Sequence, residues 1–196
     1  MRRPAMLLFL LIAPAILHAE DRRSEATMQQ KFASGGTIRL HLESGGYTIR
    51  PSDSDNIIVT YHANSEAQLR QVKVEVQLGA SRADVFVTNT PNNKFEATIE
   101  VPRRSNLWVR LTAGELDVEA VEGDKNLELR AGSLQVDIPH PQDYGHRDAS
   151  VTMGSLESTA FDVSKGGMFR SFEQLGPGKY RLHAHVLTGD IDLRGK

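Results

Sequence analysis

The sequence predicts an all-β protein, a β-solenoid or β-helix-like stack of short strands that meet at glycine corners. Apolar and polar residues alternate with period two along much of the chain, and turn residues separate the alternating segments. A strand–glycine–strand unit then recurs along the chain, as expected of a stacked repeat. A twisted β-sandwich of hairpins is the alternative architecture.

Residues 1–19 are predicted to be a secretory signal peptide. Arg2 and Arg3 precede an uncharged apolar run over 5–17, and Ala19 supplies a small residue before the charged segment that follows. This run is too short to cross a bilayer, which takes about 20 residues. We therefore expect an exported protein, located in the periplasm, at the cell surface or outside the cell. An uncleaved N-terminal anchor is the alternative.

Composition excludes several classes of function. Without Arg2 and Arg3, 21 basic residues stand against 25 acidic ones, so no basic excess exists to neutralise a nucleic-acid backbone. Cysteine is absent, which excludes disulfides, thiol catalysis and cysteine zinc sites. No second apolar stretch is long enough to span a membrane. A protein or a glycan of unknown identity is the expected partner.

Residues 20–34 are polar and are predicted to be a flexible lead-in to a single all-β repeat domain over 35–196. Within the domain, period-two alternation predicts strands at four places, around 38–42, 72–78, 107–111 and 180–186. A short helical turn is predicted where Phe169, Phe172 and Leu175 are spaced three apart, and it would cover an open end of the stack.

The strongest signal is a repeat marked by Gly45, Gly114, Gly132, Gly154 and Gly189. The positions five and three before each glycine, and two and four after it, are apolar in nineteen of twenty cases, with Ser158 as the exception. Apolar offsets are odd before the glycine and even after it, whereas alternation in a continuous strand keeps one parity. The chain must therefore turn a corner at each glycine, which accepts positive φ without a Cβ clash.

Such units bury their apolar faces only when they stack on one another. The marking glycines are 69, 18, 22 and 35 residues apart. Intervals near 20 suit one coil each, so the unequal intervals imply insertions, or coils whose corner glycine has been lost.

Three of these units carry a resemblance to a known family: residues 112–118 (TAGELDV), 130–136 (RAGSLQV) and 187–193 (LTGDIDL). They resemble the S/T-G-D-φ-x-φ coils of the bacterial putative-adhesin family, and Glu100-Val101-Pro102 fits its φ-x-V-P pattern. The resemblance covers roughly 35–195 and implies a domain of unknown function with a β-solenoid-like fold and no catalytic residues. This chain departs from the pattern where Glu115, Ser133 and Ser155 replace the usual Asp.

Candidate chemistry lies on the outward positions of the repeat. Glu115, Asp117 and Glu119 share a strand face, as do Asp190 and Asp192, and stacked carboxylates are suited to Ca²⁺. The ladder is broken in the intervening units, so we expect no metal and a solvated face balanced by Arg110 and Arg130. His183 and His185 also share a face, and His41 would join them only if its coil were a neighbour.

Trp108 and Arg110 are the predicted partner-binding residues, because alternation places the single tryptophan on the outer face beside an arginine. We expect no catalytic residue and no cofactor. The sequence thus predicts a non-catalytic, adhesin-like binding or structural module of the bacterial envelope or surface. The alternatives are a carbohydrate-active enzyme on a β-helix and an envelope-stress scaffold or sensor.

Overall fold

The computed structural model describes residues 24–195, and the predicted signal peptide lies outside them. Over this range the chain is nearly all β, as expected. The strands are β1 (Ser24–Lys31), β2 (Thr37–Leu42), β3 (Gly45–Ser52), β4 (Asn56–Ala63), β5 (Lys73–Leu78), β6 (Arg82–Thr88), β7 (Glu96–Pro102), β8 (Asn106–Val118), β9 (Lys125–Ile138), β10 (Tyr144–Ser158), β11 (Val163–Leu175) and β12 (Tyr180–Gly195). The described helices are short: α1 (Glu66–Leu69) and a 3₁₀ turn at Pro141–Asp143.

The four alternating segments of the sequence form strands, namely β2, β5, β8 and β12. Two other segments differ from prediction. Ser24–Lys31, placed by the sequence in an irregular lead-in, forms β1 and pairs antiparallel with β4 along its whole length. Its polar side chains gave no strand signal, because the pairing satisfies backbone donors and acceptors rather than burying a strongly apolar face.

The predicted helical turn at Phe169, Phe172 and Leu175 is wrong, because these residues lie in β11, which pairs antiparallel with β10. Phe172 is buried opposite Ala149, whereas Phe169 and Leu175 are exposed. The backbone turns a corner at Gly167 (φ 106°) and Phe169 (φ 54°). That corner breaks the period-two alternation and leaves a spacing of three that resembles a helix in sequence.

The strands form one open sheet that bends along a line of glycines. Each of the long strands β8, β9, β10 and β12 has a first arm before its glycine and a second arm after it. Along β8 the first arm pairs with β2 and the second arm with β3. The first-arm layer continues through β6 and β5, and the second-arm layer through β7, β4 and β1.

The glycines at the bend lie against one another in adjacent strands. All five adopt positive φ, between 126° and 155°. Gly45 pairs with Gly114, Gly114 with Gly132, and Gly132 with Gly189. A Cβ atom built on Gly132 would lie 1.8 Å from the carbonyl oxygen of Gly114, which leaves no room for any side chain. The corner therefore requires glycine for space as well as for conformation.

All twenty positions of the repeat are buried, the exceptional Ser158 included. Ser158 is satisfied there because its hydroxyl donates to the Leu193 carbonyl at 3.2 Å and accepts from the Phe161 amide at 3.1 Å. The core thus lines the inner side of both arms, and the outer faces carry the polar residues.

The order of the strands differs from the order of the repeats. β8 and β9 pair in parallel, with residues 18 apart in sequence side by side, as expected of consecutive coils. The next neighbour of β9 is β12, however, and β10 pairs with the far side of β12. The 35-residue interval between Gly154 and Gly189 therefore contains β11, whereas the 69-residue interval between Gly45 and Gly114 contains β4 to β7.

Candidate functional site

The outer face of the first arm carries the residues that the sequence singled out. Strand register places its side chains in two rows that cross the sheet. One row runs Asp84, Arg39, Trp108, Asn126, His183 and Asp148. The other runs Phe86, His41, Arg110, Glu128, His185 and Ser150.

Arg110 is held against Trp108 by a set of short contacts. Its guanidinium carbon lies 3.9 Å from the centre of the Trp108 ring. Nη1 donates to Asn126 Oδ1 at 2.9 Å, and Nη2 lies 2.6 Å from Glu128 Oε1. Partial burial lowers the pKa of Arg110, and the Glu128 carboxylate opposes that shift. The guanidinium is therefore fixed in place, with part of one indole face beneath it.

Further groups surround this pair and extend it into a cluster. Arg39 also approaches the Trp108 ring, at 5.6 Å from its centre. The His41 ring lies 5.1 Å from the Trp108 ring and stacks on Phe86 at 4.5 Å, nearly parallel. We call these five residues, Arg39, His41, Phe86, Trp108 and Arg110, the aromatic–arginine cluster. Sequence reasoning identified only Trp108 and Arg110 as binding residues, because strand pairing is what places β2 beside β8 and β6 beside β2.

The aromatic–arginine cluster stands between two clefts on this face. A cleft of about 520 Å³ is lined by Arg110, His41, Arg130, His185 and Leu187, among others. A second, of about 380 Å³, is lined by Trp108 together with residues of β9, β10 and β12. Volumes of this size match those of small-ligand pockets. Arg110 thus lines one cleft, and Trp108 lines the other.

The histidines engage separate partners. His183 Nδ1 lies 2.5 Å from Asp148 Oδ2, and His185 Nδ1 lies 2.8 Å from Ser150 Oγ. His41 is three strands away from His185, with β8 and β9 between them, so the condition for joining them is not met. Among residues 24–195, no group of three or more His, Asp or Glu side chains is placed to hold a metal ion.

The Ser150–His185 pair has the spacing of a nucleophile and its base. A serine triad also needs a carboxylate that orients the imidazole. In the described part of the chain no carboxylate is bonded to His185, and Glu128 on the adjacent strand is engaged by Arg110. The arrangement is an interstrand hydrogen bond rather than an assembled triad.

The carboxylates on the outer face of the second arm are paired with different arginines from those that the sequence predicted. Arg194 Nη2 lies 2.8 Å from Asp117 Oδ1, and Nη1 donates to Gln135 Oε1 at 2.9 Å. Arg50 lies 3.7 Å from Glu119. Arg110, predicted to balance these carboxylates, lies on the first arm instead. Arg194 therefore ties β12 to β8 and β9 across the face where Ca²⁺ was considered.

Lys125 is a buried charge at the start of β9, which sequence reasoning missed. Its side chain is 2% exposed. Nζ donates to the Val121 carbonyl at 2.5 Å and to the Tyr144 hydroxyl. Burial lowers the pKa of Lys125 to about 8, against the opposing effect of Asp124 and Glu122. In the sequence Lys125 resembles any other polar residue, because its burial depends on segments that only the folded structure brings around it.

Comparison with known proteins supports the fold. The sequence matches no family model and no curated protein. Its structure is similar to that of a putative cell adhesion protein from Clostridium sporogenes, with a TM-score of 0.58, 12% identity, and coverage of 88% of this chain and 100% of that one. At this identity the likeness shows the fold alone.

Two further solved structures are similar more loosely. A putative adhesin from Parabacteroides distasonis has a TM-score of 0.28 and 13% identity, covering 60% of this chain and 58% of that chain. A putative adhesin from Bacteroides fragilis has a TM-score of 0.29 and 7% identity, covering 90% and 99%. At these TM-scores neither likeness establishes a shared fold.

Among the described residues, no helix has the length and apolarity needed to cross a membrane.

Proposed function

We propose that the protein is a non-catalytic, adhesin-like binding module of the bacterial envelope or surface, exported by the signal peptide over 1–19. The observation that carries the proposal is the aromatic–arginine cluster between two clefts on the first-arm face. Fixed aromatic and arginine side chains are the residue types that dominate binding energy at interfaces.

The geometry of the cluster supports contact with a partner. Arg110 is already oriented by Asn126 and Glu128, so little side-chain entropy is lost when it meets a ligand. Because Arg110 covers part of the indole, a sugar or protein group would contact the rest of the Trp108 ring and the guanidinium together. A protein or glycan surface that bridges both clefts fits this arrangement.

We also propose that the bent sheet is a β-solenoid-like stack, as in the putative-adhesin family that the repeats resemble. Parallel, in-register pairing of β8 with β9 and the aligned corner glycines support this architecture. A stack of this kind provides a rigid, flat face on which the aromatic–arginine cluster is displayed.

The test is capture of partners by the mature protein from envelope extracts and on a glycan array. We expect a retained partner whose affinity falls at least tenfold in Trp108→Ala and in Arg110→Ala, as for residues at the centre of an interface. Surface plasmon resonance with the retained partner measures the change.

Arg194→Ala is the matched control, since Arg194 is also an ion-paired arginine but lies on the second-arm face. It should leave the affinity unchanged. Equal loss in all three variants, or retention of the partner by Trp108→Ala and Arg110→Ala, would assign binding to another surface. Absence of any specific partner would contradict a binding function.

A further inference from the structure

Exposed apolar side chains concentrate at one corner of the sheet. Met168 and Phe169 of β11 are 60% and 75% exposed, and Met153 and Leu187 on the adjoining strands are 46% and 43% exposed. Met153 pairs with both Met168 and Thr188, the residue after Leu187. These four residues therefore form one patch, the corner patch, at the last strand of the sheet.

Phe169 is held outward by an unusual backbone. Its φ of 54° lies in the left-handed region, which bulky residues rarely adopt. Such conformations persist where the surrounding structure imposes them, and they concentrate at functional positions. Here the strained residue is the most exposed member of the corner patch, so the fold presents an aromatic ring to the outside of the molecule.

Cationic side chains flank the corner patch. Lys165 and Arg170 lie on either side of Met168 and Phe169 in β11, and both are exposed. Within residues 24–195 neither is paired with a carboxylate, and Lys165 Nζ donates to the Ser171 carbonyl at 2.6 Å. Glu173, the single carboxylate in β11, lies 3.0 Å from His146. The positive charge beside the patch is therefore not neutralised by the protein.

We propose that the corner patch docks on the surface of an anionic phospholipid bilayer. Protruding apolar side chains enter the headgroup region, and neighbouring Lys and Arg side chains contact lipid phosphates. Met168 and Phe169 provide the apolar contact, and Lys165 and Arg170 provide the charge complementarity. The corner patch shares Leu187 with the larger cleft, but all four of these β11 side chains lie outside both clefts and outside the aromatic–arginine cluster, so the inference does not depend on the proposed partner site.

Co-sedimentation of the mature protein with vesicles tests the proposal. We expect binding to vesicles that contain phosphatidylglycerol and little binding to vesicles of phosphatidylcholine alone. Binding should weaken as salt rises from about 0.1 M to about 1 M, because the Debye length falls from about 10 Å to about 3 Å.

Three variants separate the contributions. Met168→Ser with Phe169→Ser should weaken binding at least tenfold, since it removes the apolar contact. Lys165→Gln with Arg170→Gln should abolish the preference for phosphatidylglycerol. Leu78→Ser is the control, because Leu78 is 51% exposed but lies on β5 at the other end of the sheet. It should bind like the wild type.

The proposal is overturned if the wild-type protein does not sediment with phosphatidylglycerol vesicles, or if Leu78→Ser weakens binding as much as the corner variants. It is also overturned if sedimentation velocity shows a dimer that Met168→Ser with Phe169→Ser dissociates. In that case the patch is covered by a second copy of the chain. All the altered side chains are exposed, so the variants should fold.

Discussion

The corner glycines show how strictly a single residue can be required. At Gly132 the backbone has a φ of 126°, and a Cβ would overlap the Gly114 carbonyl oxygen. Neither problem can be relieved locally, because the obstructing atom belongs to the backbone of the neighbouring strand. Glycine is thus required at this position both by the positive φ and by the close approach of the neighbouring strand.

Gly132→Ala is expected to destabilise the protein by more than about 3 kcal/mol, from backbone strain together with steric overlap. Urea denaturation measures the loss. Gly166→Ala is the control, because Gly166 lies in β11 and a Cβ added there would meet no atom within 4 Å. It should change stability by less than about 0.5 kcal/mol. Similar stability of the two variants would contradict the corner geometry.

Lys125 makes the stability depend on pH in an unusual direction. Its pKa is about 8 in the folded protein, below the ordinary value of 10.5 for lysine. Between these values the unfolded chain binds more protons than the folded chain, so stability rises with pH. Burial raises the pKa of Tyr47 and Tyr144, and because unfolded tyrosines ionise above pH 10, stability should fall again beyond that point.

We therefore expect the free energy of unfolding to increase by on the order of 2 kcal/mol from pH 8 to pH 10. Denaturation at a series of pH values measures it. Lys125→Met should abolish the rise, whereas Lys73→Met, which alters an exposed lysine, should keep it. A wild-type stability that stays flat or falls over this interval would show that the ammonium group is not buried.

Strand β11 illustrates how an edge element is kept from pairing with other chains. Lys165 pairs with Leu156, and Arg170 with Val151, so both cations stand beside buried residues of β10 while remaining exposed at the edge. Charged side chains on the last strand stop an apolar stack from continuing into a second molecule. The edge is therefore protected by the side chains that also flank the corner patch.

Lys165→Val with Arg170→Val should produce concentration-dependent oligomers, because the inner apolar face would then extend to the open edge. Light scattering coupled to size exclusion gives the mass. Ser164→Val with Ser171→Val provides the comparison, since those residues pair with Glu157 and Ser150 on the outer side. If both double variants stay at the wild-type mass, the charges of Lys165 and Arg170 do not protect this edge.

Across the whole molecule, the sequence predicted which residues of a strand face inward better than it predicted which strands pair. The change of parity around Gly114 and Gly132 predicted which residues face inward, because alternation depends only on the strand itself. It also placed Trp108 outward. The partners of Trp108, Arg39 and His41, could not be predicted in the same way, because they reach it through pairing of β2 with β8.

The same distinction explains the missed strand order. The distance in sequence from a corner glycine gives the position of a residue within its strand. It gives no information on which strand is the neighbour. Sequential strands are usually neighbours, yet β12 rather than β10 lies beside β9. The β10–β11 hairpin leaves a gap that β12 fills, and its apolar residues Leu182, Ala184 and Ile191 complete the core there.

That position of β12 has a consequence for how the chain matures. Strands β9 and β10 are synthesised before the strand that separates them, so vectorial folding from the N-terminal side cannot close the sheet. Strand β12, sixteen residues long, must leave the ribosome before the interior between β9 and β10 becomes dry. Until then the nascent molecule keeps an open gap between β9 and β10, which closes when a single strand enters it.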